Sequence, residues 1–123
     1  MMEPKIEKIH EDRRGAIYLV RGLLEGDKEF TFLEINTGYA RGGCLHSQDE
    51  YFTVIKGKIK YIYGNGEEIV HQGESRKIPA GEPHAFIGLE YSIVSEWGVD
   101  SEDKKTDKKD SKLRELVDRI NKK

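Results

Sequence analysis

The chain has 123 residues, the length of one domain, since domains usually run roughly 100 to 150 residues. Lys and Arg total 21 against 23 Asp and Glu, a formal net charge of −2, so no global basic field exists to hold a nucleic-acid backbone. The single cysteine, Cys44, rules out an intramolecular disulfide and with it a small disulfide-stapled secreted domain. No apolar run approaches the roughly 20 residues that span a bilayer, and the chain opens on Met1-Met2-Glu3-Pro4-Lys5 rather than on an apolar signal region. The expectation is a soluble cytoplasmic protein with neither nucleic-acid nor membrane partners.

From residue 16 to residue 98 the sequence offers short runs rich in Val, Ile, Phe and Tyr between glycine-containing turns, the pattern of an all-β domain. Strands are predicted over 16–24, 30–36, 51–55, 58–63, 67–71, 75–78, 84–88 and 92–97. The segment Glu25-Gly26-Asp27-Lys28 is the predicted turn between the first two. Gly64-Asn65-Gly66 is the most specific turn, because Asn-Gly tolerates the positive φ angles of a tight hairpin. So many short strands in so short a chain favour a sandwich or barrel that protects its own edges.

Charge divides the chain near residue 99. Residues 100–123 carry nine basic and seven acidic side chains, which leaves twelve basic and sixteen acidic in residues 1–99. The stretch 100–111 contains no aliphatic or aromatic residue and reads as a solvated linker, since it has no apolar surface to offset ordering entropy. Beyond it Leu113, Leu116, Val117 and Ile120 form an i, i+3, i+4, i+7 stripe over 112–123, with Asp110 or Ser111 as N-cap and Glu115/Arg119 and Asp118/Lys122 at ion-pair spacing. This is a short amphipathic helix, whose stripe docks either on the barrel itself or on a partner.

The chemistry concentrates after Gly42-Gly43. In a continuous strand Cys44, His46, Gln48, Glu50 and Phe52 share one face, with Leu45, Tyr51 and Thr53 on the other. Thiol, imidazole and carboxylate on one inward face call for pairing, protonation or metal coordination. His84 joins them from a second place, aimed by the rigid turn Pro79-Ala80-Gly81-Glu82-Pro83. Cys44 has a second reading as a small buried hydrophobe, and the histidines with Glu50 have one as a hydrogen-bonded network without metal.

Together these residues resemble the cupin family. Its first motif, a glycine, a His-X-His pair, a Glu and a later glycine, resembles Gly38 or Gly42, then Cys44-Leu45-His46, Glu50 and Gly57. Its second resembles Gly73, Pro79-Ala80-Gly81 and His84, with Gly88 where the family has Asn. The resemblance covers about residues 38–88 and implies a double-stranded β-helix, or jelly-roll, barrel followed by the short C-terminal α-helix. It also implies a divalent transition metal inside the barrel on Cys44, His46, Glu50 and His84, a small-molecule ligand there, and pairing as a homodimer. Cys44 stands where the family has its first His, and a thiolate in the set tilts preference toward Zn, Fe, Ni or Cu.

A looser resemblance is to the nucleotide-sugar 3,4-ketoisomerases and epimerases, carried by Asp12-Arg13-Arg14-Gly15 and Arg41-Gly42-Gly43-Cys44-Leu45-His46. It implies metal-free chemistry with His46 as general base and Arg41 on a phosphate. Tyr51, beside Glu50, is a further candidate for a catalytic acid or ligand-orienting group, and Cys44 for a redox-sensitive thiol in a non-catalytic binding module. His10 and His71 read as surface residues. Only three Asn and two Gln beside abundant Lys and Glu suggest a thermophilic source, for which a melting temperature above the roughly 45–65 °C of mesophile domains is the check.

Overall fold

Residues 5–22, 28–100 and 108–123 are described by the computed structural model. They form eleven strands and one helix: β1 (Lys5–Asp12), β2 (Gly15–Arg21), β3 (Lys28–Ile35), β4 (Ala40–Leu45), β5 (Glu50–Lys56), β6 (Lys58–Tyr63), β7 (Gly66–His71), β8 (Ser75–Ile78), β9 (His84–Gly88), β10 (Ser92–Asp100), β11 (Lys108–Lys109) and α1 (Ser111–Asn121). A six-stranded sheet in the order β1-β2-β3-β10-β5-β8 packs on a five-stranded one, β11-β4-β9-β6-β7. All pairings between these strands are antiparallel. The result is the all-β jelly roll expected.

Strand alternation builds the core. Phe52 and Val54 of β5, Ile59 and Tyr61 of β6, and Phe86 of β9 turn inward and are buried. Phe52 meets Phe86 and Tyr61 at ring-centroid distances of 4.7 and 4.9 Å, the separations of favourable tilted and edge-on aromatic pairs. The hairpin expected at Gly64-Asn65-Gly66 joins β6 to β7, but the positive φ, +33°, falls on Gly64. It is thus a glycine-first loop, the other arrangement whose twist suits a two-residue hairpin.

Three sequence expectations differ from the structure. Residues 44–53 are not one strand: β4 ends at Leu45 in one sheet and β5 starts at Glu50 in the other, so 46–49 carry the chain across the barrel. β1 has no counterpart in the sequence reading, because all eight of its side chains are exposed and its alternation lacks an apolar face. The segment 100–111 begins as the last residue of β10 and ends with β11 paired to Leu45 and Cys44; residues 101–107 of that expected linker, like Leu24 and the turn at 25–27, lie outside the described residues.

Helix α1 docks on the barrel's own surface. The Asp110 side chain accepts from the Leu113 N–H at 3.0 Å, capping one of the helix's orphan donors. Val117 is buried against Ala40 and Ala85, with Leu113 and Ile120 alongside, and full burial of one such side chain is worth roughly 1.5–3 kcal/mol. Asn121 acts as a clasp, its Oδ1 accepting from Ala40 N at 2.7 Å and its Nδ2 donating to Ala40 O at 2.9 Å. The Glu115/Arg119 pair forms at 3.7 Å, whereas Asp118 faces Arg114. Among the described residues no helix is long and apolar enough to cross a membrane.

The turn joining β1 to β2 is organised by one carboxylate. Asp12 accepts from the Arg14 backbone N–H at 2.9 Å, from its Nε and Nη2, and lies 2.8 Å from His10 Nε2. The Arg14 side chain above all holds the Asp12 carboxyl well below its ordinary 3.8. A depressed folded-state value stabilises the fold above about pH 4 and loses that effect as pH falls through the folded value. Asp12→Asn is therefore expected to be less stable than the native chain at pH 7, by a margin that shrinks as pH drops from 4 towards 2. Denaturant midpoints of both proteins across that range check it, and a constant margin would contradict it.

Candidate metal centre

Glu50 opens β5 on the same face as Phe52 and Val54 and has no exposed surface. His84 opens β9, paired across the sheet with Cys44 of β4 and Tyr63 of β6, and is 4% exposed. His46 follows the end of β4 and is 6% exposed. Two contacts fasten the loop carrying His46 to the Pro79-Ala80-Gly81 turn that precedes His84: Gly81 N donates to His46 O at 2.7 Å, and Ala80 N donates to Asp49 Oδ1 at 2.9 Å. The Ala80 N–H, and then Lys77, hold the Asp49 carboxyl below its ordinary range. The two motifs of the sequence thereby become one end of the barrel.

There the side chains converge. His46 Nε2 lies 3.5 Å and His84 Nε2 3.3 Å from the same oxygen, Glu50 Oε1, and one donor atom from each of the three residues fits within 4.8 Å of the others. His84 Nδ1 is 3.1 Å from Glu82 O. A carbonyl only accepts, so Nδ1 carries the proton and in the neutral ring Nε2 presents a lone pair. That lone pair faces a carboxylate oxygen, acceptor against acceptor, a juxtaposition that a cation between them would relieve. Fixing the tautomer through Nδ1 is also how metal-binding histidines are oriented. Two imidazole nitrogens and a carboxylate oxygen are a donor set that suits divalent transition metals.

Cys44 does not join this trio, though it lines the same cavity. Gly42 and Gly43 both take positive φ, +111° and +95°, and the β4–β9 register skips a residue between Gly42 and Cys44. This is a bulge. Arg41 points inward from β4, and strict alternation would send Cys44 to the helix side. The extra residue returns the thiol to the cavity wall opposite His84.

Tyr51, expected to act beside Glu50, lies on the other face of β5. It is 37% exposed and stacks on Trp97 at 6.0 Å, because neighbours in a strand face opposite ways. Two buried charged residues join the site: Arg41, for which the looser resemblance implied a phosphate contact, and Glu96, which the sequence reading did not single out. Arg41, 4% exposed, donates from Nε to Glu34 O at 2.9 Å and from Nη2 to Gly15 O at 2.7 Å. Burial foremost lowers it to about 10, still charged at neutral pH. Glu96, within hydrogen-bond range of Thr31 Oγ1 at 3.5 Å, shares the inward parity of Val94, and that alternation was the signal available for it. Both line a cavity of about 190 Å³ that also holds Cys44, His46, His84 and Arg114.

The cupin domain family matches residues 31–91, the span that carries His46, Glu50 and His84 between the two sheets. This chain is a cupin. No curated protein matches its sequence, but solved structures share its fold. A variant of Bacillus subtilis oxalate decarboxylase superposes with TM-score 0.70 at 17% identity, over 80% of this cupin and 29% of that chain. The capsular polysaccharide assembling protein CapF from Staphylococcus aureus gives 0.64 at 19%, over 76% and 30%. An Fe(II) form of HppE with an alternative substrate gives 0.61 at 17%, over 79% and 56%. This cupin therefore spans less than a third of the oxalate decarboxylase and CapF chains.

Proposed function

We propose that this cupin binds one divalent transition metal through His46 Nε2, His84 Nε2 and the Glu50 carboxylate, and holds or transforms a small molecule in the adjoining cavity. The convergence of both imidazoles on one buried carboxylate oxygen carries this reading. The bound ion would supply Lewis-acid or redox chemistry at its open positions. The chain's own groups hold the donors in place: Glu82 O fixes the His84 ring, the Gly81 N–H holds the His46 backbone, and Cys44 lines the adjoining cavity. An iron(II) centre in HppE and the oxalate decarboxylase fold support a metal-dependent reading by likeness alone. Metal analysis of untagged protein, purified anaerobically under reducing conditions and offered Zn, Fe(II), Ni and Cu in turn, is expected to show near-stoichiometric metal. Its absence from every preparation would end the proposal.

The metal-free alternative, with His46 as general base on a nucleotide sugar, has CapF and the Arg41-Gly42-Gly43-Cys44-Leu45-His46 resemblance in its favour. Against it stands size: the cavity holds about 190 Å³, below the roughly 300–1,000 Å³ of sites that bury drug-sized ligands. We also infer a homodimer. Ile6 of the edge strand β1 lies with Tyr18, Phe32, Ile55 and Ile93 in an apolar groove on the outer face of the six-stranded sheet. Sedimentation equilibrium should give twice the chain mass, and a monomer at micromolar concentration would refute it.

A further inference from the structure

We propose that the ligand of this cavity is a small oxyanion, a carboxylate or a phosphate, held by Arg41 from the barrel wall and by Arg14 and Arg114 at the rim. The inference deepens the metal-centre reading by naming the class of molecule placed beside it. Three arginines line the cavity with one carboxylate of the described wall, Glu96, while Asp12 stands behind them, 2.6 Å from Arg14 Nη2 and 3.9 Å from Arg41 Nη2. The arginines arrive from three elements remote in sequence: the β1–β2 turn, β4 and α1.

Each arginine is anchored on one side, and two keep a wholly unused nitrogen. Arg41 spends Nε and Nη2 on the carbonyls of Glu34 and Gly15, and Arg14 spends Nε and Nη2 on Asp12. Neither Nη1 has a hydrogen-bond partner among the described residues. Arg114 gives Nη1 to Gly42 O at 2.9 Å and has for Nη2 only a 3.5 Å contact to Asp118. Anchoring in this manner removes rotamer freedom before a ligand arrives, which is the cost that preorganised sites avoid. A guanidinium offers a planar fork suited to carboxylate and phosphate oxygens, and a divalent ion on the neighbouring trio would add to the positive field. Size points the same way: at about 190 Å³ the cavity is below the roughly 300–1,000 Å³ of sites that bury drug-sized ligands, which suits a short organic acid or a phosphate.

Helix α1 thus has a role beyond covering β4 and β9, because it delivers Arg114 to the cavity. A Cβ on Gly43 would lie 2.5 Å from Arg114 Cδ, so the bulge glycine leaves the passage that this side chain follows.

Isothermal titration of the full chain, stripped of metal with chelator, tests the proposal with succinate, inorganic phosphate and neutral succinamide as probes. At least one anion is expected to bind tenfold or more tightly than succinamide, and which anion wins separates a carboxylate ligand from a phosphate one. Arg114→Gln, at a partly exposed position, should weaken that anion at least threefold with the melting temperature within a few degrees of the parent. Arg14→Gln, which also releases Asp12 and so costs stability, should weaken it at least threefold, whereas Asp12→Asn, destabilised at the same turn, keeps Arg14 and binds it. Arg41→Lys, which keeps charge but loses the fork, should weaken it tenfold. Succinamide binding as well as the anions, or anion affinity unchanged in all three arginine variants, would overturn the proposal. Since the titration uses metal-free protein, failure here leaves metal uptake standing, and failure to take up metal leaves this result readable.

Discussion

Glu50→Gln and His84→Ala are each expected to lower metal affinity by more than the 10–100-fold that loss of an outer-shell partner costs at metal sites. Each removes one of only three donors. Glu50→Gln keeps the shape of a side chain with no exposed surface while deleting the negative charge on which both imidazoles converge. His84→Ala deletes a nitrogen whose direction is fixed by Glu82 O. Cys44→Ser is the informative companion. Its sulfur lies outside the trio, so metal uptake should stay within about threefold of the native protein. Competition titration with a chromophoric chelator measures all three, and a loss in Cys44→Ser equal to that in His84→Ala would make the thiol a fourth ligand.

Gly42→Ala is expected to be the most damaging single-methyl addition at this end of the barrel. Gly42 takes φ +111°, and a Cβ there would sit 2.7 Å from His84 O and 2.8 Å from Ala85 Cα. Positive φ costs a side-chain-bearing residue roughly 1–2 kcal/mol, and overpacking a tight site a further 1–3 kcal/mol or so. The sum, about 2–5 kcal/mol, is a large share of the roughly 5–15 kcal/mol that holds a domain together. Gly73→Ala is the control, with φ +87° and nothing within 4 Å of the added carbon, so only the conformational cost of about 1–2 kcal/mol remains. Chemical denaturation should separate the two, and equal losses would show that the close approach of β4 to β9 has no energetic weight. Because the clash falls on the His84 carbonyl, surviving Gly42→Ala protein should also bind metal less tightly than Gly73→Ala.

The sequence made legible whatever depends on spacing along the chain. Leu113, Val117 and Ile120 mark the buried face of α1, Asp110 is its cap, and the two glycine- and histidine-bearing motifs placed His46, Glu50 and His84 at strand ends. Parity read locally served for Glu50 and Phe52 and should have turned Tyr51 away, since it adjoins a residue assigned inward. What escaped required knowledge of distant partners. The Gly42–Gly43 bulge restores Cys44 to the cavity only through its pairing with β9, and Arg14, Arg41 and Arg114 become neighbours only once three separate elements have docked. The exposed β1 carries no apolar alternation for a period-two signal to find.

The trio draws on both halves of the jelly roll. Glu50 begins a strand of the six-stranded sheet, whereas His46 and His84 flank strands of the five-stranded one. Occupancy of the centre and closure of this end of the barrel are consequently linked by mass action: at a free ion concentration a thousand times Kd, binding adds about 4.1 kcal/mol to the folded state. Amide exchange at the start of β5 and of β9 should then slow together on loading, as for two ends of a single crosslink. The lifetime of this protein against local opening and proteolysis would be set by the metal supply around it.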